Sequence, residues 1–162
     1  MSETHVLHPQ DEHNQKLRDH VHPESWSATP ASEVYDMVSI GAGTAGLVSS
    51  GGAAMLGARS ALIERHLMGG DCLNTGCVPS KTLIKSAHVA HMARHASQFG
   101  VHVGDVQVDF GAVMERLRRI RADMAHHDGA ERLRGLGVDV LFGTAKFTGP
   151  RTLDLDGKSV QF

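Results

Sequence analysis

The chain has 162 residues: 41% are hydrophobic, 4% aromatic and 21% charged, with 16 basic and 18 acidic side chains for a net charge of −2. That is room for one domain of ordinary size with a sizeable core, and the balanced charge excludes the basic footprint of a nucleic-acid binder. No apolar run approaches the ~18 residues of a membrane-crossing helix and the polar N-terminus carries no secretory signal, so neither membrane nor nucleic acid is expected as a partner.

Residues 1–34 hold two basic and six acidic groups, a net of −4, and five of the twelve histidines. With Pro9, Pro23 and Pro30 and no visible periodicity, this stretch reads as a disordered, His-rich extension. His5-x-x-His8 and His20-x-His22 could hold a metal weakly, but a solvated tail offers no surrounding groups to fix such ligands, and no metal site is expected.

From Val34 the texture changes. Tyr35–Ile40 reads as a buried strand, Gly41–Gly46 as a glycine turn, Leu47–Leu56 as a helix and Ser60–Glu64 as a second strand, together a strand–helix–strand unit. Gly57 suits a helix end. Gly51 and Gly52 sit inside the helix, where each should cost about 1 kcal/mol relative to Ala. A cysteine-bearing loop, Gly69–Cys77, precedes Pro79, which favours a helix start, and a helix over Ser80–Ser97. A further helix is expected near Phe110–His127, with Val113, Leu117, Ile120 and Met124 as its core stripe and Arg116, Arg118, Arg119 and Arg121 as a solvated face. A short helix near Ala130–Leu136 leads to a strand, Val138–Phe142. Thr152–Leu155 and Ser159–Phe162 flank Asp156-Gly157, a hairpin signal.

Two motifs carry chemistry. The first is Gly41-Ala42-Gly43-Thr44-Ala45-Gly46, placed after a strand and opening a helix. Gly41 permits the turn, Gly43 admits a pyrophosphate to the backbone, and Gly46 lets helix and strand pack closely. Glu64 ends the next strand, where a carboxylate can accept from a ribose diol and repel a 2′-phosphate. The competing reading is a purely structural glycine turn.

The second motif is Gly69-Gly70-Asp71-Cys72-Leu73-Asn74-Thr75-Gly76-Cys77-Val78-Pro79-Ser80-Lys81. Its cysteines can bridge if the backbone curls to bring their Cα atoms within ~6 Å, and Asn74, Thr75 and Gly76 permit such a curl. Cys77 lies just before a helix start, where the helix dipole favours a thiolate, and Lys81 adds positive charge one turn on. Such a pair can store two electrons. Cys72-x4-Cys77-x13-His91-x3-His95 also has near-zinc-finger spacing. The intervening positions, Lys81 and Ala87 among them, lack the bulky apolar residues such a finger needs, and His88, His91 and His95 more simply line a helix face.

The thirteen-residue loop resembles the active-site signature of the class I pyridine nucleotide-disulfide oxidoreductases, of the dihydrolipoamide dehydrogenase and mercuric reductase type. Tyr35–Gly46, Ala61–Glu64 and Gly143–Gly149 are similar to the same family in the same order. The resemblance implies an α/β fold: an FAD-binding Rossmann-type domain with a parallel sheet over residues 35–162, truncated, with a C-terminal β-hairpin. It implies that Gly41, Gly43, Gly46 and Glu64 hold the ADP half of FAD, that Ala145 offers backbone contact to the adenine, and that Lys81 lies near the flavin. Cys72 would be the thiol that attacks substrate and Cys77 the one facing the flavin. Electrons would pass from NAD(P)H through flavin to a Cys72–Cys77 disulfide and on to a disulfide or metal-ion substrate, in a cytoplasmic homodimer. The family's second glycine turn for NAD(P) and its dimerisation domain are not found in the chain. The expectation is therefore a fragment of such an enzyme, inactive alone, and the alternative is a catalytically inactive nucleotide-binding remnant.

Overall fold

The strand Ser60–Glu64 is buried at every residue in the computed structural model, which describes residues 7–162. A strand buried on both faces belongs in the middle of a covered parallel sheet. It is β2, flanked by β1 (Met37–Ile40) and β3 (Val138–Phe142), all parallel, with Ile40 opposite Ile63 and Glu64 opposite Phe142. Because side chains alternate along a strand, Leu62, Val138 and Val140 face one layer while Ala61, Ile63 and Leu141 face another.

The first layer is helical. It comprises α1 (Glu12–Val21), α2 (Thr44–Met55), α3 (Gly70–Asn74), α4 (Cys77–Arg94), α5 (Phe110–Asp128) and α6 (Ala130–Gly135). Leu17, Val21, Met68, Leu73, Ala122, Ala125 and Leu133 close this side of the core. The opposite layer is an antiparallel sheet of β4 (Ala145–Gly149), β5 (Thr152–Leu155) and β6 (Lys158–Gln161), whose Leu153, Leu155 and Val160 pack with Tyr35 against the parallel strands. The hairpin expected around Asp156-Gly157 is β5–β6. A further strand beyond those expected, β4, pairs with β5 after the chain reverses at Gly149–Arg151.

Three expectations need correction. The first concerns the extension. Residues 12–21 form α1, not a disordered tail; His5, and so the His5-x-x-His8 pair, lies outside the described residues. Asp11 caps the helix by accepting the Asn14 N–H, and Asn14, Leu17 and Val21, spaced at helical intervals, turn one buried face onto α5. The second concerns the arginines of α5: Arg119 is exposed as expected, but the other three are not merely solvated. Arg118 pairs with Asp11, Arg121 donates to Asn14 Oδ1 and to the Asn74 carbonyl, and Arg116 reaches the Thr82 carbonyl. The third concerns the α5 stripe. It is displaced round the helix: Leu117, Ala122 and Ala125 are buried, whereas Met124 is exposed. The cause is α1, which adds a second packing surface and selects small alanines where a helix approaches closely.

Candidate functional site

The glycine turn joins β1 to α2 at the C-terminal end of the parallel sheet. Gly41 takes φ +100°, a region closed to most side chains, and its N–H donates to the Ile63 carbonyl at 2.7 Å. A Cβ at Gly46 would lie 1.9 Å from the Gly41 carbonyl oxygen, so only glycine fits between turn and helix. Gly43 is the N-cap of α2 and contributes no side-chain cap, leaving first-turn N–H groups without a side-chain acceptor.

Glu64 ends β2 beneath this turn, buried to 9% exposure. Its Oε2 accepts the Ala42 N–H at 2.7 Å and its Oε1 the His66 N–H at 2.8 Å. Besides the outward role expected of it, the carboxylate ties the glycine turn to the loop after β2. Each oxygen retains a lone pair for another donor.

That loop runs straight into the cysteine segment, and the two motifs meet backbone to backbone. The Gly69 N–H donates to the Ala42 carbonyl at 2.8 Å, and a Cβ on Gly70 would come within 2.7 Å of Gly43 Cα. The first two glycines of the cysteine motif are thus contact residues, a role that spacing alone did not assign.

The cysteine segment is wound more tightly than a loop. Cys72 lies within α3 and Cys77 is the first residue of α4. Asn74 makes the curl: its Nδ2 donates to the carbonyls of Met68 at 3.0 Å and Gly70 at 2.9 Å, while the Asp71 carbonyl accepts the Thr75 and Gly76 N–H groups. Both cysteines are free thiols, Cys72 half-buried and Cys77 exposed. A hydrogen bond with Cys77, then burial, push the Cys72 thiol above its ordinary range, with a smaller contribution from the Asp128 carboxylate.

Lys81 follows Cys77 by one turn of α4 and is exposed. Ala145 opens β4, half-buried, two residues after Gly143, whose N–H donates to the Glu64 carbonyl at 2.9 Å. The two-Cys, two-His arrangement does not assemble. Cys77 and His91 lie near opposite ends of the 18-residue α4, about 20 Å apart at ~1.5 Å per residue. Among the described residues no helix is long and apolar enough to cross a membrane.

Fold and site together define a class: an α/β unit in which a strand–glycine-turn–helix crossover abuts a two-cysteine loop. The chain belongs to the pyridine nucleotide-disulphide oxidoreductase family, whose model matches residues 35–162. It is 40% identical over 117 residues to a dihydrolipoyl dehydrogenase of Bacillus subtilis (strain 168), covering 72% of this chain and 24% of that protein. It is 39% identical over 120 residues to the dihydrolipoyl dehydrogenase of Rhizobium etli, covering 74% of this chain and 25% of that protein. A mercuric reductase of Bacillus cereus is 31% identical over 126 residues, covering 78% of this chain and 20% of that protein. The chain thus spans a quarter or less of the length of these relatives.

Proposed function

We propose that residues 35–162 are the FAD-binding, thiol-bearing part of a flavin-dependent disulfide oxidoreductase that draws on NAD(P)H. The observation that carries this reading is the direct contact between the glycine turn and the cysteine loop at Gly43 and Gly70. It brings a dinucleotide-type cradle and a thiol pair to one end of one sheet.

The residues fit the ADP portion of FAD. No side chain stands between Gly43 and Gly70, the uncapped start of α2 suits a pyrophosphate, and the Glu64 carboxylate has acceptor capacity left for a ribose diol. Ala145 lies just beyond the Gly143–Glu64 bond and would offer its backbone to the adenine, with Lys81 toward the flavin side. When bound, FAD supplies a two-electron carrier between a nicotinamide and the thiols.

The thiol step needs only this chain's residues and a substrate disulfide. Cys72, once deprotonated, attacks one substrate sulfur, forming a mixed disulfide and expelling the first product thiolate. Cys77 then attacks Cys72 Sγ, breaking the mixed disulfide and releasing the second thiolate. The substrate gains two electrons, the pair loses two as a Cys72–Cys77 disulfide, and the thiol protons pass to the products. A soft metal ion is the other substrate class that a dithiol can take. In the whole enzyme the partner is expected to be a second copy of the same chain.

The reading is tested with nucleotides and a thiol count. By calorimetry, the chain should bind ADP at least tenfold more tightly than its 2′-phosphorylated analogue, and Glu64→Ala should erase that preference. Mild oxidation should remove both titratable thiols, and dithiothreitol should restore them. Equal binding of the two nucleotides, binding of neither, or two thiols that persist through oxidation would overturn the proposal.

A further inference from the structure

Residues 7–34 precede the region that matches the family, yet they are fastened across the part of the site that the proposed function depends on. Two contacts go to the loop after β2. The Met68 N–H donates to the Val21 carbonyl at 3.1 Å, and His22 donates its Nδ1–H to the His66 carbonyl. The His22 ring also stacks on Phe142, with centroids 4.2 Å apart and planes 26° from parallel. Phe142 is the β3 residue in register with Glu64.

The segment is itself anchored at both ends of these contacts. Ahead of them, α1 holds α5 through Asp11–Arg118, Asn14–Arg121 and a 2.7 Å Lys16–Asp123 ion pair, with Leu17 and Val21 fully buried. Beyond them, Trp26 donates its indole N–H to the Val140 carbonyl at 2.9 Å and receives the Arg134 guanidinium over its ring at 4.6 Å. A segment pinned on either side transmits little slack to the bonds between.

The loop so gripped is short and has a function at each end. Glu64, the proposed ribose acceptor, begins it, and Gly69-Gly70, packed on Gly43, ends it. Between them Met68 is buried in the core with Leu67 packed against it, and the bend at Arg65 and His66 lies on the exposed side of the loop. His66 is bonded inward to Glu64 through its N–H and outward to His22 through its carbonyl.

We propose that the arm of residues 11–26 is a positioning strap for the nucleotide site, with His22 its working residue. By holding the His66 carbonyl and the Met68 N–H, it fixes the spacing between the ribose acceptor and the glycine contact, and so pre-organises the cradle for a dinucleotide. This inference rests on the nucleotide reading above, and the experiment separates the two.

Two variants divide the contacts of His22: His22→Gln keeps a side-chain N–H without the ring, and His22→Phe keeps the ring without the N–H. A third, Asp11→Lys, sets a cation against Arg118 and loosens the arm without touching the loop. Hydrogen exchange and ADP calorimetry are read on the whole chain for each. His22→Phe and Asp11→Lys should speed exchange of the Arg65–Gly70 amides at least tenfold, leave the Met37–Ile40 amides unchanged, and weaken ADP binding about fivefold to tenfold. His22→Gln should recover most of the ADP affinity. Unchanged loop exchange in both loosening variants, or unchanged ADP affinity despite faster exchange, would overturn the strap. Absence of ADP binding in the unaltered chain would overturn the nucleotide reading, and the strap's purpose with it. Asp11→Lys alters a half-buried helix cap away from the loop, so it keeps the test alive if a His22 variant misfolds.

Discussion

Two glycines in α2 should respond oppositely to the same substitution. Gly52 is exposed, and a Cβ there meets nothing within 4 Å. Gly52→Ala therefore gains helix propensity alone, about 1 kcal/mol. Gly46 lies under the turn, where a Cβ would stand 1.9 Å from the Gly41 carbonyl oxygen and 3.2 Å from Leu62 Cδ1. Real Cβ atoms essentially never approach closer than 3.0 Å, so helix and turn must separate by about 1.1 Å, the difference of those two distances. Overpacking against side chains costs roughly 1–3 kcal/mol, and here the obstacle is backbone. A cost of about 3–5 kcal/mol, reduced by ~1 kcal/mol of propensity, leaves Gly46→Ala about 2–4 kcal/mol less stable than the parent. At ~2–4 °C per kcal/mol for a chain of this size, Gly52→Ala should melt about 2–4 °C higher and Gly46→Ala roughly 4–16 °C lower. Circular dichroism melts decide it, with urea titrations as a second measure. If the two variants fall within ~1 kcal/mol of each other, the close-packing argument for the third motif glycine is wrong.

Other groups give equally direct readouts. Tyr35, the single tyrosine, is pushed up to about 12 by burial, then by its 2.6 Å hydrogen bond to Asp139. Its neutral form is favoured by folding, so stability should fall as pH rises from 10 toward 12, and tyrosinate absorbance should emerge near pH 12 rather than 10. Emergence at 10 with the fold intact would refute the buried pairing. At the acid end, burial raises the Asp11 carboxyl, but the Asn14 N–H and Arg118 outweigh it and hold it below 3.8; the Lys16 hydrogen bond does the same for Asp123. Both depressed groups support α1 fully above pH 3.8 and lose that support as pH falls through their lower folded-state values. Trp26, the only tryptophan, should report release of the arm by a red shift below pH 3.8, before far-ultraviolet ellipticity is lost; simultaneous loss of both signals would contradict separate release. At pH 7, exposed Cys77 should alkylate faster than Cys72, whose thiol is pushed up by its hydrogen bond to Cys77, with mass spectrometry giving the order.

The parts of the fold that the sequence announces are those whose constraints are local. Ser60–Glu64 reads as a buried strand because all five of its residues are in fact covered, and the Gly41–Gly46 turn is legible because its requirements, a positive φ and a missing Cβ, fall on the residues of the motif itself. The cysteines are equally plain as a pair, but their division of labour is not. The hydrogen bond with Cys77 that pushes the Cys72 thiol up exists only once Asn74 has curled the segment. The arm hides for a related reason. Its helix has just two buried apolar side chains, Leu17 and Val21, in an acidic, His-rich context, and the groups that satisfy Asp11, Asn14 and Lys16 stand about a hundred positions away on α5. No window of sequence contains both halves of such an interaction. The same distance displaced the α5 stripe, since Ala122 and Ala125 are worth burying only against a helix that composition had assigned to solvent. An amphipathic helix with two covered faces leaves a blurred periodicity, and the arginines between those faces look like solvated charge until their partners are in place. Arg121, lying between the Asn14 side chain and the Asn74 carbonyl, joins the arm and the cysteine segment through one guanidinium, and that link is set by the fold rather than by either motif.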